Sequence, residues 1–386
     1  MKLQFFSPCP RGLEPLLGLE LTELGAENVS TVPGGVKFEG NWELCWKVNL
    51  ESRLATRVLW KVGHGIYHHE EHIYKITYSV NWKSWFSPEK TIRVYVTAVK
   101  SPLRSLNFIT LKIKDAICDK FVADCGRRPS VDTDNPDFRI HAYITEDACT
   151  IYIDTSGEPL YKRGFKLAKA RAPLKENLAA GILKLIDWKY NQPLYDPMCG
   201  SGTFLIEAAM MALDIAPGLG RHFSFEKLTT FNPVIWADIL NKAKARRKSS
   251  AELKLFASDI EEDQVESTIT NLEAAGLGNI VAVTTGDFLD LMPPSPEGIM
   301  VTNPPYGVRL GSEKELKDWY PKIGDHLKKN FPGWRCHFLT GDPDFHKQFG
   351  LKPSKKIPIM NGDIECRVLE YKIILGFNRK EKPQKI

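Results

Sequence analysis

The sequence predicts an α/β fold in two parts, a small α+β unit followed by a doubly wound, largely parallel sheet. In the first half, short runs with alternating apolar and polar residues stand between helical segments, which is typical of antiparallel strands with one exposed face. In the second half, short apolar runs alternate with helices, as in βαβ units. Polar residues end several of these apolar runs, which predicts a ligand site at the carboxyl edge of the sheet.

The first half contains its clearest strand patterns at residues 91–96 and 149–153. Residues 157–159, Gly-Glu-Pro, end this half, and residues 172–180 begin a helix with Pro173 at an early position. The change of pattern at this point predicts a boundary between two domains.

A basic run covers this boundary. Residues 161–171 contain no acid and mix aromatic side chains with cations, which favours contact with nucleic-acid phosphates. The candidate phosphate ligands are Lys162, Arg163, Lys166 and Arg171. A second basic run, residues 242–248, fits a solvated helix face as well as it fits a phosphate contact.

The second half opens with a strand, a tight turn of small residues and an apolar helix at residues 194–213. Glycines let the backbone approach a ligand closely, and the free amides of the following helix face a polar or anionic group. A nicotinamide fingerprint would need a third glycine and an acid about twenty residues later, and a phosphate-binding loop would need a lysine after the glycines. Neither is present, so a nucleotide-like ligand of another kind is indicated. The candidate residues are Asp196, Pro197, Gly200, Gly202 and Thr203.

Two further acids follow buried strands. Asp259 ends the run at residues 253–258, and Asp287 follows the run at residues 280–285. At the carboxyl edge of a parallel sheet, these carboxylates are placed to accept hydrogen bonds from ribose hydroxyls and from an adenine amine, respectively.

The most informative segment is Asn303-Pro304-Pro305-Tyr306, which ends the apolar run at residues 298–301. Two prolines remove two backbone donors and keep the chain extended, so the Asn303 amide oxygen and the Pro304 carbonyl can both serve as acceptors. An exocyclic amino group would satisfy both, and Tyr306 offers a flat face on which a nucleobase can stack.

Composition places these motifs in an intracellular class. The chain has 386 residues, enough for two or three domains, and a net charge of +5. No apolar segment reaches the roughly eighteen residues of a membrane span, and the start lacks a secretory hydrophobic region, so we expect a cytoplasmic protein.

Neither a disulfide framework nor a metal site is predicted. The eight cysteines include no Cys-x-x-Cys pair. Several of the nine histidines cluster at His64, His68, His69 and His72, but no cysteine or spaced acid completes a ligand set. We expect no bound metal.

The glycine turn and the Asn-Pro-Pro-Tyr-Gly segment together resemble the motifs of S-adenosylmethionine-dependent amino-group methyltransferases. The resemblance implies that Asp196, Gly200, Gly202 and Thr203 contact the methionine part of the cofactor, with Pro173 near its carboxylate. It also implies that Asp259 binds the ribose and Asp287 the adenine. Asn303 and Pro304 would hold the target nitrogen, with Tyr306 under the base, and Asn303 would also contact the cofactor.

The first half extends the resemblance. Residues 101–106 and 114–121 look like the helical part of a THUMP RNA-binding domain, and residues 9–14 and 49–58 are similar to the ferredoxin-like segment that accompanies it. Residues 160–165 and 172–177 resemble the linker and first catalytic helix of the same family. The nearest resemblance is to bacterial THUMP-containing enzymes that methylate guanine N2 in large-subunit ribosomal RNA. Their best-known members carry a second, fused methyltransferase domain, which is not expected here.

The expected organisation follows from this resemblance. We expect a ferredoxin-like segment at residues 1–60, a THUMP domain at 61–157, a basic linker at 158–172, a Rossmann-like methyltransferase domain at 173–377 and a disordered tail at 378–386. The aromatic-rich insertion between Leu213 and Leu253 is expected to be local packing rather than a cap on the cofactor site. Residues 356–375 predict a hairpin, which is the antiparallel end of this methyltransferase fold.

Four functions remain open from sequence. The first is methylation of guanine N2 in large-subunit ribosomal RNA. The second is the same chemistry on transfer RNA. A DNA adenine-N6 methyltransferase is disfavoured by the THUMP-like half, and an inactive RNA-binding assembly factor is disfavoured by the intact motifs. The modified nucleotide, the number of methyl groups transferred and the oligomeric state are not predicted.

Overall fold

The computed structural model describes residues 2–167, 174–249, 253–304 and 313–374. The chain divides into two compact units, each with its own sheet. The first unit contains residues 1–164 and 214–247, and the second contains residues 165–213 and 248–386.

The first unit is built on a seven-stranded sheet whose order is β2-β3-β1-β4-β7-β6-β5. Its strands are β1 (Leu3–Pro8), β2 (Glu27–Val32), β3 (Gly35–Gly40), β4 (Leu59–Ile66), β5 (Ile92–Ala98), β6 (Phe138–Ile144) and β7 (Ala148–Asp154). Its helices before the insertion are α1 (Glu14–Leu24), α2 (Trp42–Glu51), α3 (Glu70–Tyr78) and α4 (Leu106–Cys125).

The strands of the first unit are antiparallel except for β5 and β6, which pair in parallel. The sequence predicted an antiparallel sheet, and it placed strands correctly at β5 and β7. Because β4 pairs with both β1 and β7, the segment before residue 60 and the segment after it share one continuous sheet. The expected boundary at residue 60 therefore falls inside a strand.

The insertion at residues 214–247 packs within the first unit and contains α7 (Pro233–Ala245). Trp46 of α2 stacks on Phe225 with a centroid separation of 5.9 Å, and the Phe225 amide donates to the Thr155 carbonyl at 2.9 Å. The Gly218 amide donates to the Leu50 carbonyl at 2.8 Å. The insertion thus completes the core of the first unit, although it lies far along the chain from the rest of that unit.

Arg221, also in the insertion, binds the chain just before the unit ends. Its guanidinium donates to the carbonyl oxygens of Glu158, Pro159, Leu160 and Lys162 at 2.7–3.0 Å. Burial lowers the pKa of Arg221 to about 10, which leaves the group charged at neutral pH. One side chain therefore holds the first five residues of the segment expected to be a linker.

The second unit has a seven-stranded sheet in the order β10-β9-β8-β11-β12-β14-β13. Its strands are β8 (Leu194–Asp196), β9 (Leu255–Asp259), β10 (Val281–Thr285), β11 (Gly298–Thr302), β12 (Trp334–Thr340), β13 (Lys355–Asn361) and β14 (Ile364–Lys372). Its helices are α5 (Glu176–Leu185), α6 (Thr203–Ala212), α8 (Glu262–Ala274), α9 (Glu313–Asn330) and α10 (Phe345–Gln348).

Strands β8 to β12 are parallel, and the chain leaves β8 on one side for β9 and β10 and on the other for β11 and β12. This reversal of strand order beside β8 is the switch point at which doubly wound sheets bind ligands. The last two strands form the predicted hairpin, with Asn361 paired to Ile364 across Gly362 at φ +64°. The predicted Rossmann-like fold with an antiparallel end is confirmed.

An aromatic core lies under one face of this sheet. It includes Tyr195, Phe331, Trp334, Phe338 and Tyr371, each less than 5% exposed. Tyr195 precedes Asp196 directly, so packing of this core fixes the end of β8 from below.

Candidate functional site

Four polar residues meet at the carboxyl edge of the parallel sheet. Asp196 ends β8, Asp259 ends β9, Asp287 follows β10 and Asn303 follows β11. Because these strands are adjacent and parallel, all four residues lie along one edge, as the sequence predicted.

The turn after β8 is a tight backbone cradle. Gly200 has φ +54° and Gly202 has φ +75°, a region that other residues enter at a cost. A Cβ atom on Gly202 would lie 2.9 Å from Cγ2 of Thr268, so a side chain has no room there. The Thr268 hydroxyl donates to the Gly200 carbonyl at 2.7 Å, which fixes the turn against α8.

Helix α6 begins at Thr203 directly after this turn, and all its residues are buried. Its first amides have no partners within the helix and face the turn, which makes the helix start suited to a polar or anionic group. Pro197, in the first part of the turn, is buried, and its carbonyl accepts from the Ser258 hydroxyl at 3.3 Å.

Asp259 links the turn to the next strand. Its Oδ2 accepts the Gly200 amide at 2.9 Å, and its Oδ1 accepts the Glu261 amide at 3.2 Å. Burial raises the pKa of this carboxyl despite these two bonds. Each carboxylate oxygen has a second lone pair, so the group retains acceptors for ligand hydroxyls.

Asp196 is almost completely buried, at 2% exposure. Burial raises its pKa to about 7, with the Thr302 hydroxyl and the Met198 amide opposing the shift and the charge of Asp259 adding to it. A cation bound nearby would offset the cost of ionising this carboxyl.

Asp287 is half-buried, and its Oδ1 accepts the Leu289 amide at 2.9 Å. The following residue, Phe288, is 3% exposed and belongs to the aromatic core. The backbone is thereby fixed while the carboxylate remains partly accessible.

Asn303 presents a buried acceptor that the described residues do not satisfy. Its Oδ1 atom is inaccessible to solvent and has no hydrogen-bond partner among the parts of the chain that the structure covers. Leaving such an atom unpaired costs about 1–3 kcal/mol, so a ligand donor is the natural partner. Pro304 is buried beside it, whereas Tyr306, predicted as the base-stacking residue, lies outside the described residues.

Sequence reasoning missed His337 and Thr268, which support the site from neighbouring elements. Nδ1 of His337, on β12, lies 3.0 Å from the Met300 carbonyl on β11, the strand that leads to Asn303. Burial lowers the pKa of His337 to about 4, so its ring is neutral at pH 7 and Nδ1 carries the proton that the carbonyl accepts. For Thr268, a signal was available: the buried stripe of α8, Val265, Thr268, Asn271 and Leu272, includes two polar residues.

The cations of the basic run at residues 161–171 differ in their exposure and in their hydrogen-bond partners. Lys162 is exposed and pairs with Glu158 at 2.6 Å. Arg163 is 5% exposed, and its guanidinium donates to the carbonyls of Leu160 and Arg53 at 2.6 and 2.7 Å. A guanidinium held in this way cannot reach an RNA phosphate without leaving its carbonyls, so the structure corrects the expectation for Arg163.

Lys166 also has structural partners. Its Nζ donates to the Leu174 carbonyl at 2.6 Å and lies 3.4 Å from Glu176 Oε1, at the start of α5. Arg171 and Pro173 fall outside the described residues.

No group of three or more metal-ligating side chains occurs within the described ranges, where the ring centroids of His69 and His72 lie 4.0 Å apart. Of the described helices, none is long and apolar enough to cross a bilayer.

Three known family models together match most of the chain. Residues 163–370 match the RMKL-like methyltransferase domain, residues 67–154 match the THUMP domain and residues 4–59 match the RlmL ferredoxin-like domain.

Two curated relatives are similar over nearly the whole chain. A protein of Synechocystis sp., provisionally named as an RNA methyltransferase, is 37% identical over 96% of this chain and 96% of its own length. The ribosomal RNA large subunit methyltransferase K/L of Shewanella frigidimarina is 38% identical over 98% of this chain but only 54% of its own. The chain thus spans about half the length of the relatives with that name.

Solved structures share the fold. A provisionally described methyltransferase crystallised with S-adenosylhomocysteine has a TM-score of 0.87 at 30% identity, covering 96% of this chain and 98% of its own. A predicted N6-adenine-specific DNA methylase from Listeria monocytogenes has a TM-score of 0.85 at 30% identity, covering 96% of both chains. With its sheet order, its glycine turn and the three matching domains, the chain belongs to the family of THUMP-containing, RMKL-like methyltransferases.

Proposed function

We propose that this protein transfers a methyl group from S-adenosylmethionine to the exocyclic N2 amine of a guanine in large-subunit ribosomal RNA. The observation that carries the proposal is the buried Asn303 Oδ1, which has no partner among the described residues, on the edge that also bears Asp196, Asp259 and Asp287. An amine of the bound substrate could donate a hydrogen bond to this oxygen. The similarity to large-subunit ribosomal RNA methyltransferases supports the choice of substrate.

The residues present fit the cofactor. Gly202 lets the turn pack against Thr268, where a Cβ would clash, and Gly200 brings backbone to the same turn. Asp259 retains acceptors for ribose hydroxyls, and the partly accessible Asp287 can accept from the adenine amine. The buried Asp196 would become ionised beside the cationic methionine part. When bound, the cofactor supplies an electrophilic methyl group on a sulfonium.

The residues of the protein then have to position the N2 amine of the target guanine. A guanine amine is a weak nucleophile because its lone pair is delocalised into the ring. Asn303 Oδ1 and the Pro304 carbonyl would accept its two hydrogens, which favours the pyramidal nitrogen that attacks in line. The same acceptors stabilise the positive charge that develops on nitrogen before the proton leaves. His337 holds β11 through the Met300 carbonyl and so orients Asn303 indirectly.

The target base must be unpaired or flipped to reach this edge. The match to a THUMP domain in the first unit supports RNA over the DNA substrate that the name of the Listeria structure suggests. Action on ribosomal RNA would support a cytoplasmic location.

The test is transfer of radiolabelled methyl groups from S-adenosylmethionine to separated ribosomal and transfer RNA pools that lack their own modifications, followed by nucleoside analysis. We expect label in N2-methylguanosine from the large ribosomal RNA. Label only in transfer RNA would retain the chemistry and replace the substrate. Transfer of label to N6-methyladenine when DNA is supplied in place of RNA, or tight cofactor binding without any transfer, would overturn the proposal.

A further inference from the structure

Helices α3 and α4 pack on one face of the sheet in the first unit. Phe138 of β6 lies on that face, because its ring stacks at 4.6 Å on Phe86, whose ring lies 5.3 Å from Phe121 of α4. The next alternate residues of β6, Ile140, Ala142 and Ile144, are at most 2% exposed. Side chains alternate between the two faces of a strand, so the residues between these lie on the opposite face.

We call this opposite face of β4, β5, β6 and β7 the open face. The strand register arranges its residues in two rows, the first formed by Tyr95, His141, Tyr152 and Lys61, and the second by Thr97, Tyr143, Thr150 and His64. Arg93 lies two residues before Tyr95 and therefore on the same face. Tyr152 is buried, whereas the other residues of the two rows and Arg93 are partly or fully exposed. The open face is thus accessible to a ligand.

Three tyrosines and a histidine place aromatic rings on the open face. The rings of Tyr95 and His141 stack, with 5.1 Å between their centroids and 13° between their planes. The guanidinium of Arg93 lies 4.8 Å from the centre of the Tyr95 ring. Tyr143 differs from these residues, because it is 41% exposed and its ring has no stacking or cation partner in the part of the chain that the structure describes. Its ring is therefore available to a flat ligand.

The accessible charge on the open face is positive. Lys61 Nζ donates to Gln4 Oε1 at 3.0 Å, and Arg93 donates to a backbone carbonyl, so both cations are bonded to uncharged groups. The sequences of these four strands contain a single acid, Asp154, which is fully buried and paired with Arg57. Cations beside an exposed aromatic ring, without an accessible carboxylate on the same strands, favour an anionic ligand that also carries flat groups.

A single RNA strand has both properties. Its bases stack on aromatic side chains and its phosphates pair with cations. A duplex is less suitable, because its base faces are covered by neighbouring base pairs. A sheet with helices on one face and accessible aromatic residues on the other is also an arrangement that RNA-binding domains use for unpaired bases.

We propose that the open face binds an unpaired segment of the substrate RNA, with a base stacked on Tyr143 and phosphates bound by Lys61 and Arg93. This inference rests on the proposed function, because it takes RNA as the substrate. Stacking tolerates any base, and an ammonium group attracts phosphate without reading the sequence. The open face therefore selects unpaired RNA over duplex RNA, and it does not select the base that is methylated.

The experiment measures RNA affinity by fluorescence anisotropy for the full-length protein, without turnover and over a range of salt concentrations. The probes are a labelled single-stranded RNA of mixed sequence and the same strand annealed to its complement. The variants are Tyr143→Thr, which removes the ring but keeps a residue suited to a strand, Tyr143→Phe and Lys61→Gln. The matched control is Tyr190→Thr, because Tyr190 is 44% exposed and lies between α5 and β8 of the second unit. Melting temperature and cofactor affinity, measured for every protein, verify folding.

We expect Tyr143→Thr to bind the single strand about five- to a hundredfold more weakly, because one base loses its stacking partner. Its affinity for the duplex and its salt dependence should equal those of the parent, since stacking involves neither paired bases nor charge. Tyr143→Phe keeps the ring and should bind nearly as tightly as the parent. Lys61→Gln should reduce the slope of log K against log salt for the single strand by about 0.7.

Parent affinity of Tyr143→Thr for the single strand would overturn the proposal and leave the open face to a protein partner. An equal loss in Tyr190→Thr, or an equal loss for the duplex, would also overturn it, because neither result is specific to stacking on Tyr143. Because binding is measured without turnover, a parent that binds RNA but transfers no methyl group defeats the proposed function separately. A parent that binds no RNA defeats both.

Discussion

The Gly200 amide donates a 2.9 Å hydrogen bond to Oδ2 of Asp259, which joins the turn after β8 to the end of β9. The carboxylate proposed to bind the ribose thus also holds the glycine turn proposed to contact the methionine part. Thr268 closes the other side of the turn through the Gly200 carbonyl. The two halves of the proposed cofactor site are therefore one hydrogen-bonded unit, and damage to the turn should affect cofactor binding directly.

Gly202→Ala tests this unit. Alanine at φ +75° costs about 1–2 kcal/mol, and its Cβ would lie 2.9 Å from Cγ2 of Thr268. We therefore expect lower stability and at least a tenfold loss of cofactor affinity, measured by calorimetry. The control is Gly276→Ala, which has φ +67° but no atom within 4 Å of the added Cβ. It should show the backbone strain without the loss of affinity. Equal affinity losses in both variants would mean that strain alone is responsible.

The raised pKa of Asp196 predicts how stability depends on pH. Its folded pKa of about 7 lies above the ordinary aspartate pKa of 3.8, so between these values the folded protein holds a proton that the unfolded chain has released. The ligand-free protein should therefore lose stability as pH rises from about 4 to 7 and then level off. Asp196→Asn removes this penalty, so the variant should exceed the parent in unfolding free energy at pH 8 by a few kcal/mol, with no advantage near pH 4. Parallel stability curves across this range would contradict the assignment.

Much of the site was predictable because each of these residues is marked by a short stretch of neighbouring sequence. Asp196, Asp259, Asp287 and Asn303 each follow an apolar run, and a parallel sheet brings the ends of such runs to one edge. The glycine turn is likewise a local signal, since positive φ needs glycine.

The features that were missed depend on distant contacts. Arg163 and Lys162 are adjacent and chemically alike in sequence, yet one is buried against carbonyls and the other is exposed. Only the fold decides between them. The expectation of packing for the insertion agrees with its contacts, but the partner of Phe225 is Trp46, far along the chain. No short-range pattern carries that information.

This difference between neighbours gives a paired prediction. Arg163→Met removes the donors for the Leu160 and Arg53 carbonyls, so it should lower stability by about 2–3 kcal/mol in denaturant unfolding. Lys162→Gln should change stability by no more than about 0.5 kcal/mol, because its ion pair is exposed. If Lys162 contacts a phosphate, its variant should reduce the salt slope of RNA binding by about one. An unchanged slope would remove Lys162 from the RNA surface.

Arg221 should control the order of the segment it holds. Its four carbonyl partners lie at residues 158–162, and Arg221→Ala leaves them without that donor. We expect faster proteolytic cleavage near residues 158–164 under native conditions, together with a lower melting temperature. Arg221→Lys, which keeps the charge but cannot donate in a fork, should give an intermediate rate. Cleavage at the parent rate in the alanine variant would show that the segment is held by other contacts.

Asn303→Ala tests the chemistry itself. The variant removes the buried acceptor proposed to hold the target amine, so turnover at saturating cofactor and RNA should fall by on the order of 3 kcal/mol in transition-state stabilisation, roughly a hundredfold. Asn303→Asp retains an acceptor oxygen and should keep more activity than alanine. The alanine variant should stay folded, because the acceptor atom that it removes has no partner in the described chain, and removal of an unsatisfied buried group stabilises if anything. The decisive comparison is between turnover and binding: cofactor affinity should fall much less than turnover, because Asn303 acts mainly on the amine. Parent turnover in the alanine variant would remove Asn303 from the catalytic role, and an equal loss of both quantities would assign it to the cofactor instead.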